Sequence, residues 1–201
     1  MAKIKYTKNE LKSQRDALRR YTRYLPTLQL KKQQLQIEIR NIEHQIEAKQ
    51  DDIARFDAQL RPWISLFASI SDFLHYLSLE SVMSRNENIA GVDIPVIDQI
   101  NFKKTTPDLH ATPAWIDDAI GALETATRQQ LELRYLQEAH LLLREELRIT
   151  AQRVNLFEKV KIPETQENIR VIRIFLGDEQ TAGVARAKIA KNKNLRLQEA
   201  L

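Results

Sequence analysis

His44, His75, His110 and His140 are the side chains of this chain best suited to hold a metal or pass a proton near neutral pH. They stand alone, without an HExxH, an HxH or a cysteine pair to complete a ligand set. His140 also falls on an apolar helical stripe, where a polar residue serves as a register or core residue rather than a ligand. The neighbouring carboxylates Asp51 and Asp52, and Asp117 and Asp118, could suggest acid–base work. Adjacent helical residues point about 100° apart, however, so neither pair converges on one substrate and both read as solvated faces. Four glycines, widely spaced, cannot build GxGxxG or GxxxxGK[ST]. No catalytic residue, cofactor or metal is expected.

The charged residues are the more informative chemistry. Residues 1–23 carry eight cations against Glu10 and Asp16, giving +6, and residues 180–201 carry five against Glu199, giving +4. With a total of +4, the stretch between holds −6. Both ends are basic and the middle is acidic, so the elements that place those ends decide what they can meet. The stretch "IRVIRIFLGDEQTAGVARAKIAKNK" (169–193) passes from branched apolar residues into small ones interleaved with Arg186, Lys188, Lys191 and Lys193. A solvated helix terminus would account for such a run equally well, because cations near a helix C-terminus also interact favourably with its dipole.

Composition points to long helices. Only 4 glycines, 6 prolines and 6% aromatics among 201 residues leave little for loops or a spherical core, while 43% hydrophobic residues suffice for an apolar seam. Zero cysteines exclude disulfides and zinc knuckles and agree with a reducing compartment. No apolar run approaches the ~20 residues of a membrane span. The start "MAKIKYTKNELK" lacks the apolar core of a secretory signal, so a cytoplasmic protein is expected.

Stepping by seven from Ile4 meets Leu11, Leu18, Leu25, Lys32, Ile39, Ile46, Ile53 and Leu60, with Thr7, Gln14, Tyr21, Leu28, Leu35, Ile42, Lys49 and Phe56 three residues on. This is the a/d seam of a coiled coil, about 85 Å long, weakened at Lys32 and Lys49. Pro26 predicts a kink rather than a break, because Leu25, Leu28 and Leu35 keep register around it. A second seam runs through Leu133, Leu136, His140, Leu143, Leu147, Thr150, Val154 and Phe157, then restarts one residue out of phase at Ile162, Ile169, Ile172 and Leu176. Gly177 is expected to cap or loosen this helix.

Between the seams, residues 62–80 read as a helix and 81–104 as a β-hairpin, since "SVMSRNENIAGVDIPVIDQINFKK" is β-branched, alternating and broken by Asn, Gly and Pro. Residues 105–114, with two prolines, read as a connector. The expected fold is mainly α: a long antiparallel two-helix coiled coil formed by an N-terminal arm (1–61) and a C-terminal arm (115–201), with a small middle insert (62–114) containing a short helix and a β-hairpin. Both basic ends would then share one tip.

Three blocks, "YLPTLQLKKQQLQ", "NIAGVDIPV" and "ENIRVIRIFLGDEQTAGVARAKIAK", resemble the D-subunit of V-type and archaeal-type ATPases, in the family's order and over nearly the whole chain. The length suits prokaryotic members. The resemblance implies a non-catalytic central rotor shaft, whose paired terminal helices enter a hexamer of A and B subunits, with the small F-subunit clasping it and the socket subunit called C or d joining it to the membrane ring. It implies a cytoplasmic protein held peripherally at the membrane through the complex, with no membrane insertion of its own and no nucleic-acid partner. Contacts with the hexamer bore are then expected from Lys8, Lys12, Arg186, Lys188, Lys191 and Lys193, and an activity-tuning hairpin from Ile89, Ala90, Gly91, Val92 and Pro95. Two other readings fit the residues themselves: a prefoldin-like coiled-coil chaperone, and a basic coiled-coil arm for nucleic acid, which lacks interleaved aromatics.

Overall fold

The structure is a computed structural model that describes the backbone of residues 4–67, 73–108 and 112–199, and the side chains of these except 67, 73, 74 and 195–199. His110 and residues 68–72 of the expected 62–80 helix lie outside the described residues.

The chain is mainly helical. Helix α1 spans Lys8–Leu60 and begins at a capping-box sequence, Thr7 to Glu10, in which the Thr7 hydroxyl accepts the Glu10 amide at 3.2 Å. It runs unbroken through Pro26. Two single turns, α2 (Ile64–Phe67) and α3 (Phe73–Tyr76), precede strands β1 (Leu77–Ile89) and β2 (Val92–Lys104), an antiparallel pair. Helix α4 (Ile116–Leu156), a π-helical turn (Phe157–Lys161) and α5 (Ile162–Glu199) follow. The chain divides into two compact units, residues 31–149 and residues 1–30 with 150–201.

The helix expected over 62–80 is corrected at its end, because Leu77–Glu80 are strand. Leu77 and Leu79 alternate with Ser78 and Glu80, which a strand tolerates as well as a helix does, and a partner decides. Leu77 pairs with Lys104, the Thr105 amide donates to the Tyr76 carbonyl at 3.0 Å, and Leu77 is buried among Ile116, Ile120, Phe102 and Leu123. Gly177 also does not end the last helix. The helix continues past it, and the Thr181 hydroxyl donates to the Gly177 carbonyl.

In the unit 31–149, Leu35, Ile39 and Ile42 of α1, Ala139 and Leu143 of α4 and Ile94 of β2 form one buried cluster. The hairpin is thus a third layer of the core, with Ile89, Ala90, Val92 and Val96 packed against the same cluster. The two helices are antiparallel here. Three polar links cross between them, Lys31 to Glu146 and Lys49 to Glu132 at 2.7 Å each, and His140 to Glu43 at 3.1 Å. The seam is therefore completed at Lys49 by a carboxylate on the facing helix.

The hairpin closes through Ala90 and Gly91, both at positive φ (52° and 77°), the conformation that two-residue loops need to match strand twist. Asn88 braces it, its Oδ1 accepting the Gly91 amide at 3.1 Å and its Nδ2 donating to Asp93 at 2.6 Å. Lower down, Glu80 and Asp98 are extra residues in the register, each a bulge that bends its strand. At the base, Lys104 meets Glu124 of α4 at 2.5 Å, and Arg128 lies over the Phe102 ring at 5.7 Å and 3.4 Å from Glu124.

The Lys104 ammonium, and after it the Arg128 guanidinium, hold the Glu124 carboxyl below the usual carboxylate range against the opposing effect of burial. A carboxyl whose pKa is lower folded than unfolded stabilises fully above the unfolded value, and that contribution fades as pH falls through the folded one. Glu124→Gln is therefore expected to lower the melting temperature near pH 7 by about 2–4 °C. The difference from the native chain should close on acidification through the carboxylate range, which paired thermal melts would show.

In the unit 1–30 with 150–201, antiparallel pairing is marked by Tyr6 stacked on Phe175 (4.9 Å), Asn168 donating to Gln14 (3.4 Å) and Tyr21 against Phe157 (5.1 Å). Val154, Ile169 and Ile172 are buried, with Thr150 and Thr165. The Thr165 hydroxyl donates to the Lys161 carbonyl, whereas Thr150 Oγ1, in a residue 1% exposed, has no hydrogen-bond partner among the described residues. A buried hydroxyl without a partner costs about 1–3 kcal/mol. Thr150→Val, which keeps the shape and removes that oxygen, is expected to stabilise the chain by about 1 kcal/mol, read as a higher urea midpoint with an unchanged slope.

Candidate functional site

The expected seam positions Leu11, Leu18, Leu25, Ile46, Ile53, Leu133, Leu136, Leu147 and Phe157 are half-buried, and Ile39, Leu143 and Val154 are buried. The three described histidines have separate neighbours: His140 is tied to Glu43, exposed His44 lies 3.6 Å from Glu47, and His75 packs edge-on against Tyr76. Among the described residues no cluster of His, Asp or Glu could hold a metal ion. Asp52 is taken up by Arg55 at 2.5 Å, and Asp117 and Asp118 lie in the first turn of α4, where the helix dipole favours carboxylates.

Two features remain as surfaces for a partner. The first is the end of α5. From Gly177 to Asn194 every residue but Gly183 is exposed, with Val184 and Ile189 nearly 70% uncovered. Arg186, Lys188, Lys191 and Lys193 all reach solvent, and so do Lys8 and Lys12 at the start of α1. This part of the 38-residue helix has no covered packing face, whereas tertiary contacts supply most helical stability in proteins. Its small residues, Ala182, Gly183, Ala185, Ala187 and Ala190, keep it slender.

The second is the hairpin. Ile89, Ala90 and Val92 are half-buried against the core, Gly91 is exposed and Pro95 is half-buried. An open groove of about 1060 Å³ lies beside it, lined by residues 94–100 of β2, by Glu87 and Ile89 of β1 and by α1 and α4, with Lys49, Arg128, Glu38 and Glu132 at its walls. Its charges are mixed in sign, so it offers no single anion or cation site. The tip touches Lys31, whose Nζ lies 3.6 Å from where a Gly91 side chain would begin. That is ordinary contact distance, so Gly91 is required by its backbone angle and not by space. These tip contacts could not be read from sequence, because strand spacing says nothing of which helix a hairpin lies on.

A family model described as the ATP synthase D-subunit matches residues 10–192. The chain is 47% identical over 192 residues to the V-type ATP synthase D-subunit of Borreliella burgdorferi, covering 96% of this chain and 95% of that one. It is 35% identical to the protein of that name from Chlamydia caviae (96% and 94% covered) and 32% identical to that from Chlamydia pneumoniae (94% and 92%). Two long helices joined through one antiparallel hairpin, matched end to end in this way, place the chain in the ATP synthase D-subunit family.

Proposed function

We propose that this chain is the central rotor shaft of a V/A-type rotary ATPase or ATP synthase, transmitting torque between the membrane ion-translocating ring and a catalytic hexamer of A and B subunits. It performs no chemistry itself. The F-subunit clasps it and the socket subunit, C or d, links it to the ring, so that it lies at the cytoplasmic face of the membrane through the complex. Among the described residues no helix is long and apolar enough to cross a membrane.

The observation that carries this reading is the uncovered end of α5, in a chain of this family. Eighteen residues of helix with cations and small side chains call for a surrounding sheath, and a hexamer bore supplies one. Long Lys and Arg side chains adapt to successive faces of such a bore without locking into one of them. A chaperone or nucleic-acid arm would also present exposed basic helices, but family membership favours the shaft.

Co-expression with A, B and F subunits, followed by sizing, tests the reading. A complex containing this chain at one copy per hexamer supports it. An A/B hexamer that forms and excludes the chain would refute it. For the hairpin we propose a role in tuning ATP turnover. Because Ile94 fills the core, deletion of 81–104 must be accompanied by a melting curve, and altered turnover counts only if the complex remains folded.

A further inference from the structure

The two compact units are cemented unequally. In 31–149 the α1 seam positions Leu35, Ile39 and Ile42 are buried, the hairpin adds a third layer over them, and Lys31, Glu43 and Lys49 tie α1 to α4. A second buried cluster, Leu77, Ile116 and Ile120, belongs to the same unit. In the unit of 1–30 with 150–201 the described elements are helices alone, and the α1 seam positions Leu11, Leu18 and Leu25 are only half-buried. Of the residues buried on the facing side, Thr150 and Thr165 are polar, and Gln14 meets Asn168 through a hydrogen bond of 3.4 Å. Among the described residues the ion pairs of this unit, Arg19 with Asp16, Lys161 with Glu164 and Arg170 with Glu167, join neighbours on one helix, and none crosses to the other.

Charge loosens the same unit further. Residues 1–30 hold eight cations against Glu10 and Asp16, a net +6. The stretch that pairs with them, 150–179, has five cations and five carboxylates, so it offers no net charge in compensation. The end of the chain, 180–201, adds +4. A compact body with this much charge of one sign is opposed by its own repulsion, whereas 31–149 carries a net −6 spread over a unit with far more buried apolar surface. A region opens at the free energy its own buried contacts supply, so few contacts and uncompensated charge place this unit at the low end.

We propose that residues 1–30 and 150–179 form a zipper that opens and recloses as one body while 31–149 stays folded, and that an enclosing acidic surface, by neutralising its charge, holds it shut. The open form is a minor species in the free chain, and in rising urea its opening merges with global unfolding. The opening is a property of this chain alone. Closure by a sheath rests on the shaft reading, since the hexamer bore is the acidic surface that would enclose it.

Native-state hydrogen–deuterium exchange on the full chain in low urea tests it. The amides of 14–25 and 165–172 are expected to be at least about a hundredfold less protected than those of 35–46 and 139–147, and to share one urea slope shallower than theirs. Raising sodium chloride from ~0.05 to ~0.5 M should slow the first set about threefold and the second less than about twofold, because salt screens the repulsion. Arg20→Glu with Arg23→Glu, both exposed in the native chain, should slow the first set at low salt and not at high salt. Thr150→Val should slow it at either salt and serves if the charge variant fails to fold. Equal protection and equal slopes in the two sets, or separate slopes for 14–25 and 165–172, would overturn the zipper, and an opening that salt leaves unchanged would overturn the part given to charge. In a complex with A, B and F the first set should gain at least about tenfold protection, and exchange as fast as in the free chain would overturn closure by the sheath. Failure of the chain to join a hexamer would sink the shaft reading and leave exchange in the free chain to decide the zipper.

Discussion

Replacing Arg186, Lys188, Lys191 and Lys193 together by alanine is expected to leave the melting temperature of the isolated chain almost unchanged and to weaken its capture by an A/B hexamer at least about a hundredfold. The first half follows from exposure, since all four side chains stand in solvent and surface substitutions of this kind move stability by roughly 0.5 kcal/mol or less. The second half follows from the proposed sheath. Truncating one member of a charge pair enclosed at an interface costs about 2–5 kcal/mol, and a loss of about 2.7 kcal/mol is already a hundredfold in affinity. A sizing or surface-binding titration at two salt concentrations measures it, with the native chain the more salt-sensitive of the two. Undiminished capture by the quadruple variant would mean that these cations are an ordinary solvated helix end.

Leu143→Ala is expected to destabilise the chain by about 3–4 kcal/mol and to lower its melting temperature by about 10 °C. Leu143 is wholly buried where α1, α4 and the hairpin meet, with Leu35, Ile39 and Ile94 around it. Three elements that constrain one another cannot all close on the space a leucine leaves, so the cavity persists. Leu141 is the control: two residues away on the same helix it is 65% exposed, and Leu141→Ala should fall within about 0.5 kcal/mol of the native chain. Chemical denaturation of the two variants side by side gives the comparison, and near-equal midpoints would contradict the three-layered core.

The helices were legible because a seven-residue apolar rhythm states both the element and the face it buries. Ile39 and Leu143 needed no partner to be read as interior. Lys49 misled for the complementary reason: it interrupts the rhythm, and only the facing Glu132 completes it. The start of β1 was missed because Leu77 and Leu79 suit a helix or a strand until Phe102 and Lys104 are placed opposite. The slip of register at Ile162 was visible in the spacing, but a local change of supercoil and a π turn give the same spacing, and the backbone hydrogen bond to Phe157 distinguishes them. What the hairpin lies against was not legible at all, since nothing local to residues 81–104 points to Leu35 or Ala139.

The division of the chain into 31–149 and 1–30 with 150–201 has a consequence for biosynthesis. The inner unit is contiguous and can meet all of its own packing partners as soon as it leaves the ribosome. The first 30 residues cannot, because their partners Phe157, Asn168 and Phe175 are translated last. At about 5–20 residues per second, the nascent N-terminal stripe of Leu11, Leu18 and Leu25 waits on the order of 6–25 s for its complement. During that interval the stripe lacks the helix it packs against, and a chain cut short near residue 150 is expected to leave it uncovered.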